Sequence, residues 1–392
     1  MNICGAEGCS VEFEPNSSNQ KYADPSCRKT LDSLGLCRYR KENNLVDMPV
    51  DIETGKKVES DAELRVAYSK LLQEYDKLKT KSTDLSTAVY QAVVDTVKTQ
   101  EPIALSPTFN IVKSKKDSKN KEVAVAILAD WQLAKVTPDY NSSVCEKRIE
   151  TFANKVIDLT NIQRADHPVD EIRIWALGDI VEGELIFPGQ SFLVDGGLYR
   201  QVTVDGPRIM RKFINTMLEN FKKVTFVGVI GNHGAIGGRS RRDHDPETNA
   251  DRMLYRIVEL MYEKEKRISF NIPDGYGERN WYAIDKIGNY SSLLLHGDQF
   301  SGLSTMYSFQ KKVYGWKVGA IKEHFDDVYC GHFHTPTKMT FNTVQFRISG
   351  SPESTNTYAM ESLAAIGHPS QDLMFVHPDK GIVTAEYTCW LD

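Results

Sequence analysis

Five short stretches between Asp130 and His334 constrain this chain more than any other feature. They read Asp130-Trp131-Gln132, Gly178-Asp179-Ile180-Val181-Glu182, Gly231-Asn232-His233-Gly234, His296-Gly297-Asp298 and Gly331-His332-Phe333-His334. Each follows a short, mostly apolar run: Val123–Ala129, Ile172–Leu177, Val224–Ile230, Ser292–Leu295 and Asp327–Cys330. Runs of that length and composition predict buried strands. Polar, ligand-bearing residues therefore fall just past the C-terminal ends of strands, where open α/β sheets gather their sites.

The residue types narrow the chemistry. Asp, Asn, Gln and His offer hard oxygens and imidazole nitrogens, a set suited to Mn, Fe or Zn rather than Ca. Two such cations about 3.5–4 Å apart can activate a water and clamp a phosphoryl oxygen. The ordered set Asp, Gly-Asp, Gly-Asn-His, His, Gly-His-x-His resembles the calcineurin-like metallophosphoesterase superfamily, over residues 122 to 390.

The resemblance implies two divalent metals, Mn first with Fe, Zn or Mg as alternatives. It implies that Asp130, Gln132 and His334 bind the first metal, that Asp179 bridges, and that Asn232, His296 and His332 hold the second. His233 is then not a ligand but the general acid for the leaving oxygen, a role its near-neutral reference pKa suits. Three positions depart from the family pattern. Gln132 stands where the family usually has His, and a neutral amide oxygen is the weaker ligand. Glu182 replaces Asp, and Gly234 replaces an acid, at positions that orient ligands.

Between the strands, helical spacing predicts helices over about 144–164, 205–221 and 247–265, through Ile149, Phe152 and Val156, then Ile209, Phe213 and Met217, then Leu254, Ile257 and Leu260. Strand and helix in alternation give an α/β domain. The resemblance sharpens this to an α/β/β/α sandwich of two mixed sheets over residues 121–392. The later runs Gln345–Ile348, Leu373–Val376 and Ile382–Tyr387 are expected to supply strands of the second sheet.

The first third of the chain reads differently. Four of the seven cysteines, Cys4, Cys9, Cys27 and Cys37, lie in residues 1–45. They resemble a zinc ribbon or knuckle, a piece too short for its own core that a structural Zn would fold. The pattern is imperfect, since Ala23 stands where a further cysteine is usual. Residues 57–101 lack Gly and Pro. Leu64, Leu71, Leu78 and Leu85 repeat every seven residues, with Tyr68, Tyr75, Ser82 and Val89 between them. That pattern predicts one long helix over 61–98, either a dimerising coiled coil or a helix packed on its own catalytic domain. The basic run Lys113–Lys121 reads as a solvated linker.

Composition excludes other classes. A net charge of −5 over 392 residues argues against a protein that coats nucleic acid by its overall charge, without excluding a local basic channel. No apolar run reaches about 18 residues and no secretory pattern opens the chain, so neither a membrane span nor export is expected. An odd cysteine count fits a reduced, cytoplasmic protein, the host cytoplasm if the gene is a phage's. The expected activity is a two-metal phosphoesterase acting on phosphodiesters, with DNA as the expected partner. The Cys-rich segment, the helix and the loop carrying Arg239, Arg241 and Arg242 motivate the nuclease reading; a ribbon joined to such a domain resembles phage proteins. Arginine forks suit phosphate oxygens. The alternatives are a phosphatase or nucleotide phosphodiesterase on small substrates, and a non-catalytic nucleic-acid-binding or scaffold protein.

Overall fold

A strand covered on both faces need not alternate apolar with polar residues, and Glu122–Leu128 (β1) does not: all seven residues are buried. Their side chains still point alternately to opposite faces. Ala124, Ala126 and Leu128 face one core, Val123, Val125 and Ile127 another. That division organises the domain in this computed structural model. The structure describes residues 120–392 except 187–188, 237–247, 274–280, 301–305 and 355–366, together with residues 2–3, 12–13, 73, 91 and 94.

Along the chain β1 is followed by α1 (Ser142–Arg164), β2 (Val169–Ala176), α2 (Gly206–Asn220), β3 (Lys223–Gly228), α3 (Ala250–Met261) and β4 (Ile268–Asn271). Then come β5 (Tyr282–Ile287), β6 (Tyr290–Leu295), α4 (Met306–Gly315), β7 (Asp327–Cys330), β8 (Thr337–Phe341), β9 (Val344–Ile348), β10 (Ser370–His377) and β11 (Ile382–Trp390). The first sheet has six strands in the order β11-β10-β1-β2-β3-β4, and the second has five in the order β8-β9-β7-β6-β5. Strands β1 to β4 run parallel, while β10 lies antiparallel to both β1 and β11. In the second sheet β9, β7 and β6 are parallel, with antiparallel β8 and β5 at the edges.

Helices α1, α2 and α3 pack Phe152, Phe213 and Leu254 on the outer face of the six-stranded sheet. Between the sheets lie Val125, Trp175 and Val227 against Tyr290, Leu294 and Tyr329. Beyond the second sheet, Phe309 and Val313 of α4 pack with Leu293, Val328 and Phe346. The layers are thus α/β/β/α, two mixed sheets as the sequence implied. Trp175 ties the sheets together: its Nε1 donates to Asp285 Oδ2 at 2.7 Å and its ring meets Tyr329 edge-on. A buried aromatic bridge of this kind contributes about 0.5–1.5 kcal/mol beyond its area.

Helix positions match the periodicity closely. α1 begins after Asn141, whose side chain accepts from the Val144 amide as an N-cap. α2 ends where Phe221 turns extended and drops into the core. One strand assignment needs correction. Gln345–Ile348 does belong to the second sheet, but Leu373–Val376 and Ile382–Tyr387 extend the first sheet beyond β1. An apolar run reports burial on two faces, not which neighbour supplies the hydrogen bonds.

The Cys-rich segment 1–45, including Cys4, Cys9, Cys27 and Cys37, lies outside the described residues, apart from a short antiparallel pair, Asn2–Ile3 with Glu12–Phe13. Of 57–101, only Gln73, Gln91 and Val94 are described, each helical. Among the described residues no helix is long and apolar enough to cross a membrane.

Candidate metal centre

The strands deliver their ends to one place because the backbone pairing continues past them. Leu177 N bonds Leu128 O, Asp130 N bonds Gly178 O and Gln132 N bonds Asp179 O, so the loops after β1 and β2 stay zipped together. In the second sheet, Gly331 N likewise bonds His296 O, continuing the pairing of β6 with β7. Glycine is required where a loop backs onto a carboxylate. A Cβ on Gly231 would lie 2.1 Å from Asp179 Oδ1, and one on Gly331 would lie 2.2 Å from Asp130 Oδ2. Seven described non-glycine residues have positive φ, and five of them are Asp130, Gln132, Asp179, His332 and His334. Such strained conformations gather where packing fixes a side chain for a task.

Four side chains converge on one point. His296 Nε2 is 3.0 Å from Asp179 Oδ2, 3.0 Å from Asn232 Oδ1 and 3.1 Å from His332 Nδ1. Asp179 and His296 are fully buried. His296 Nδ1 lies 2.8 Å from the Leu177 carbonyl, which can only accept. Nδ1 therefore carries a hydrogen, and the ring presents Nε2 to the cluster, as a lone pair once that nitrogen is deprotonated. A carboxylate oxygen, an amide oxygen and two imidazole nitrogens then face one another, four lone-pair donors that fit a divalent cation. Asp179, His296 and His332 together could hold a metal ion.

The electrostatics are those of a cluster held together by protons. Burial works to raise the Asp179 carboxyl, but the His296 and His233 imidazoles more than reverse this and hold it well below the usual carboxylate range. Burial lowers His296, and Asp179 overrides it, lifting the ring to about 10. Burial and His296 push His332 down to about 3. One ring is thus disposed to take a proton and its neighbour to refuse one.

A buried carboxylate from α3 holds the loops in place. Asp251 accepts from the backbone N–H groups of Asp179, Ile180, Val181 and Gly231 at 2.9–3.1 Å. Burial and the nearby Asp179 raise its carboxyl to about 6, against the pull of the amides. Gly234 makes room for this approach: a Cβ there would lie 2.6 Å from Asn249 Oδ1. Sequence reading missed Asp251. Its signal was an N-cap, Asn249, with an acid in the first turn, which any helix start can show.

His233 stands beside the cluster. Its backbone N–H donates to Asp179 Oδ1 at 2.7 Å. Its Nδ1 lies 3.0 Å from the Glu182 carbonyl and 3.1 Å from Glu182 Oε2, and its Nε2 stays 3.9 Å from Asp179 Oδ2. Gln190 in turn holds Glu182 Oε1 at 3.0 Å. Burial lowers His233, while Asp179 and Glu182 raise it further, to about 9. Glu182 thus orients the ring.

The Asp130 side is arranged otherwise. Both Asp130 carboxylate oxygens take the His332 N–H, at 3.0 and 2.8 Å. Burial raises this carboxyl to about 6, against His334 and His296. His334 Nε2 is 3.6 Å from Asp130 Oδ1, and its Nδ1 meets Glu353 Oε2 at 3.0 Å. Gln132 was expected to turn its amide oxygen toward a metal; that oxygen instead accepts from Lys135 Nζ at 2.6 Å. Lys135 and Glu353 form an ion pair at 2.7 Å. Neither was singled out from the sequence, for they lie far apart in the chain and each is ordinary alone. Arg239, Arg241 and Arg242 lie outside the described residues.

No protein-family model matches the chain, and no curated protein matches it in sequence. Solved structures share its outline at low identity. An archaeal phosphodiesterase is 12% identical, with 68% of this chain and 99% of the other covered and a TM-score of 0.32. A hypothetical protein of Pyrococcus horikoshii is 13% identical, covers 69% of this chain and 89% of its own, and has a TM-score of 0.36. A mutant of Vps29 from Entamoeba histolytica gives 12%, 68%, 98% and 0.31. At these values none of them decides what this chain does, and the fold class rests on the two sheets themselves.

Proposed function

We propose that this chain is a divalent-metal-dependent phosphoesterase, and that its substrate is a phosphodiester of DNA. One observation carries the first part: Asp179 Oδ2, Asn232 Oδ1 and His332 Nδ1 converge within hydrogen-bond distance of His296 Nε2 at the ends of strands from two sheets. These four residues would hold the cation. A cation there supplies charge against the phosphoryl oxygens and lowers the pKa of water. The chain's own residues do the rest. Water would form the new P–O bond, losing a proton to solvent, as the bond to the leaving oxygen breaks; His233 gives that oxygen the proton on Nε2, and Glu182 keeps Nδ1 fixed so that Nε2 faces the substrate. Asp251 keeps the loops that carry Asp179 and Gly231 in register.

The choice of DNA is supported by sequence: Arg239, Arg241 and Arg242 follow His233 within nine residues, and arginine forks bind phosphate oxygens bidentately. The Cys-rich segment points the same way, since such knuckles accompany nucleic-acid chemistry. The test compares hydrolysis of bis(p-nitrophenyl) phosphate, single-stranded DNA, duplex DNA and nucleotides in Mn(II). Faster turnover of a DNA form supports the proposal. Turnover confined to nucleotides or monoesters replaces DNA by a small substrate, and no turnover of any favours the scaffold reading.

A further inference from the structure

The Asp130 side of the site has the backbone of a metal site and the side chains of something else. A lysine ammonium only donates, so the Gln132 atom 2.6 Å from Lys135 Nζ is the amide oxygen. The amide NH₂ then faces the site, 3.2 Å from His334 Nε2 and 3.5 Å from His233 Nε2. His334 Nδ1 reaches Glu353 Oε2 at 3.0 Å, and Glu353 Oε1 returns to Lys135 at 2.7 Å. Lys135, Gln132, His334 and Glu353 thus close a ring of hydrogen bonds and ion pairs. Gln132 and Glu353 are buried, so water does not replace a lost partner cheaply.

This ring does not fit a cation. Gln132 presents hydrogens where a metal needs an oxygen. His334 has no lone pair to spare: neutral, it accepts from Gln132; protonated, it carries a hydrogen on Nε2, 3.6 Å from Asp130 Oδ1. Turning the Gln132 amide over would set its NH₂ against the Lys135 ammonium, donor against donor. A divalent cation would also meet that ammonium at close range, in surroundings that screen little.

We propose that the Asp130 side takes no metal, that Lys135 is the fixed positive charge there, and that the chain holds a single cation at Asp179, Asn232, His296 and His332. This rests on the metal-dependent reading above. Lys135 acts as a positioning residue: it turns Gln132 so that its NH₂, a donor rather than a ligand, faces the space in front of His233, where a phosphoryl oxygen can accept from it.

The experiment is a Mn(II) titration of the full chain by equilibrium dialysis and electron paramagnetic resonance. Mn(II) is the probe because thiolates such as the N-terminal cysteines prefer softer Zn. One bound equivalent with the signal of isolated Mn(II) is expected. A second equivalent, exchange-coupled to the first, overturns the inference. No bound Mn(II) overturns the metal reading beneath it, so the two failures are distinct. His332→Ala should lose the equivalent and Gln132→Ala should keep it; the reverse pattern places the cation on the wrong side. Replacing Lys135→Met together with Gln132→His removes the charge and supplies an imidazole. That folded double variant should gain a second equivalent, and remaining at one shows that Lys135 is not what excludes it. If it fails to fold, the wild-type titration still decides.

Discussion

The two sides of the site are built on the same plan and end in different chemistry. On both, a polar residue follows a buried strand, sits at positive φ and is backed by glycine. Around His296, a carboxylate oxygen, an amide oxygen and two imidazole nitrogens converge as a set that a cation can share in place of a proton. Around Gln132, the amide oxygen is taken by Lys135, which also supplies the positive charge. Backbone geometry fixes where a side chain goes. The neighbour that takes its other atom fixes which face it shows. A motif read along the chain captures the first and is blind to the second.

That contrast can be broken by substitution. The largest effect is expected on the Asp179 side. Asp179→Asn removes the charged member of the converging set, so Mn(II) affinity should fall by more than the roughly 10–100-fold typical of outer partners, and hydrolysis with it. Circular dichroism should show the fold retained. Normal turnover and normal Mn(II) binding in this variant would remove Asp179 from the centre.

His233→Ala separates proton transfer from binding. It should slow a substrate with a poor leaving group by about 10²–10⁴-fold while leaving bound Mn(II) nearly unchanged. A substrate with an acidic phenol leaving group should be slowed much less. Equal slowing of both, or loss of metal, would show that His233 is not the acid.

Next in size is Asp251→Ala. It leaves four buried backbone N–H groups without their acceptor, each worth about 1–3 kcal/mol when unsatisfied. Water entering the gap recovers part of this, so a loss of about 3 kcal/mol or more in urea unfolding is expected, together with about 10–100-fold weaker Mn(II) binding. An unchanged midpoint would mean that the loops hold themselves.

The smallest effect on metal is expected across the site. Glu353→Gln removes the charge and leaves one acceptor oxygen where His334 and Lys135 each used one, so the ring opens at one of them. Mn(II) affinity should shift by less than about tenfold, below the range for partners of true ligands. Turnover should fall as Gln132 loses its fixed orientation. A drop in metal affinity as large as that of Asp179→Asn would erase the difference between the sides.

Much of this architecture was legible in the sequence, for local reasons. Val123–Ala129 is apolar throughout, and Val224–Ile230 is so but for Thr225, because both faces are covered, and the helical spacing of Ile149, Phe152 and Val156 marks the face α1 turns to the sheet. The site's position followed from five polar residues at strand ends. Pairings between distant segments were not legible. Leu373–Val376 reads as a buried strand wherever it sits, and nothing in it says that its partners are β1 and β11. Glu353 lies in a loop after β9, more than two hundred residues from Lys135, and only the fold joins them. Asp251 looks like any acid in the first turn of a helix until the loops that surround it are in place.

The central claim concerns where the cation sits. A crystal structure of the full chain grown in Mn(II), with anomalous data at the Mn edge, tests it directly. One anomalous peak is expected, about 2.0–2.3 Å from Asp179, Asn232, His296 and His332, with Lys135 still on the Gln132 oxygen and paired with Glu353. A peak ligated by Asp130, Gln132 and His334, with Lys135 displaced, would contradict it.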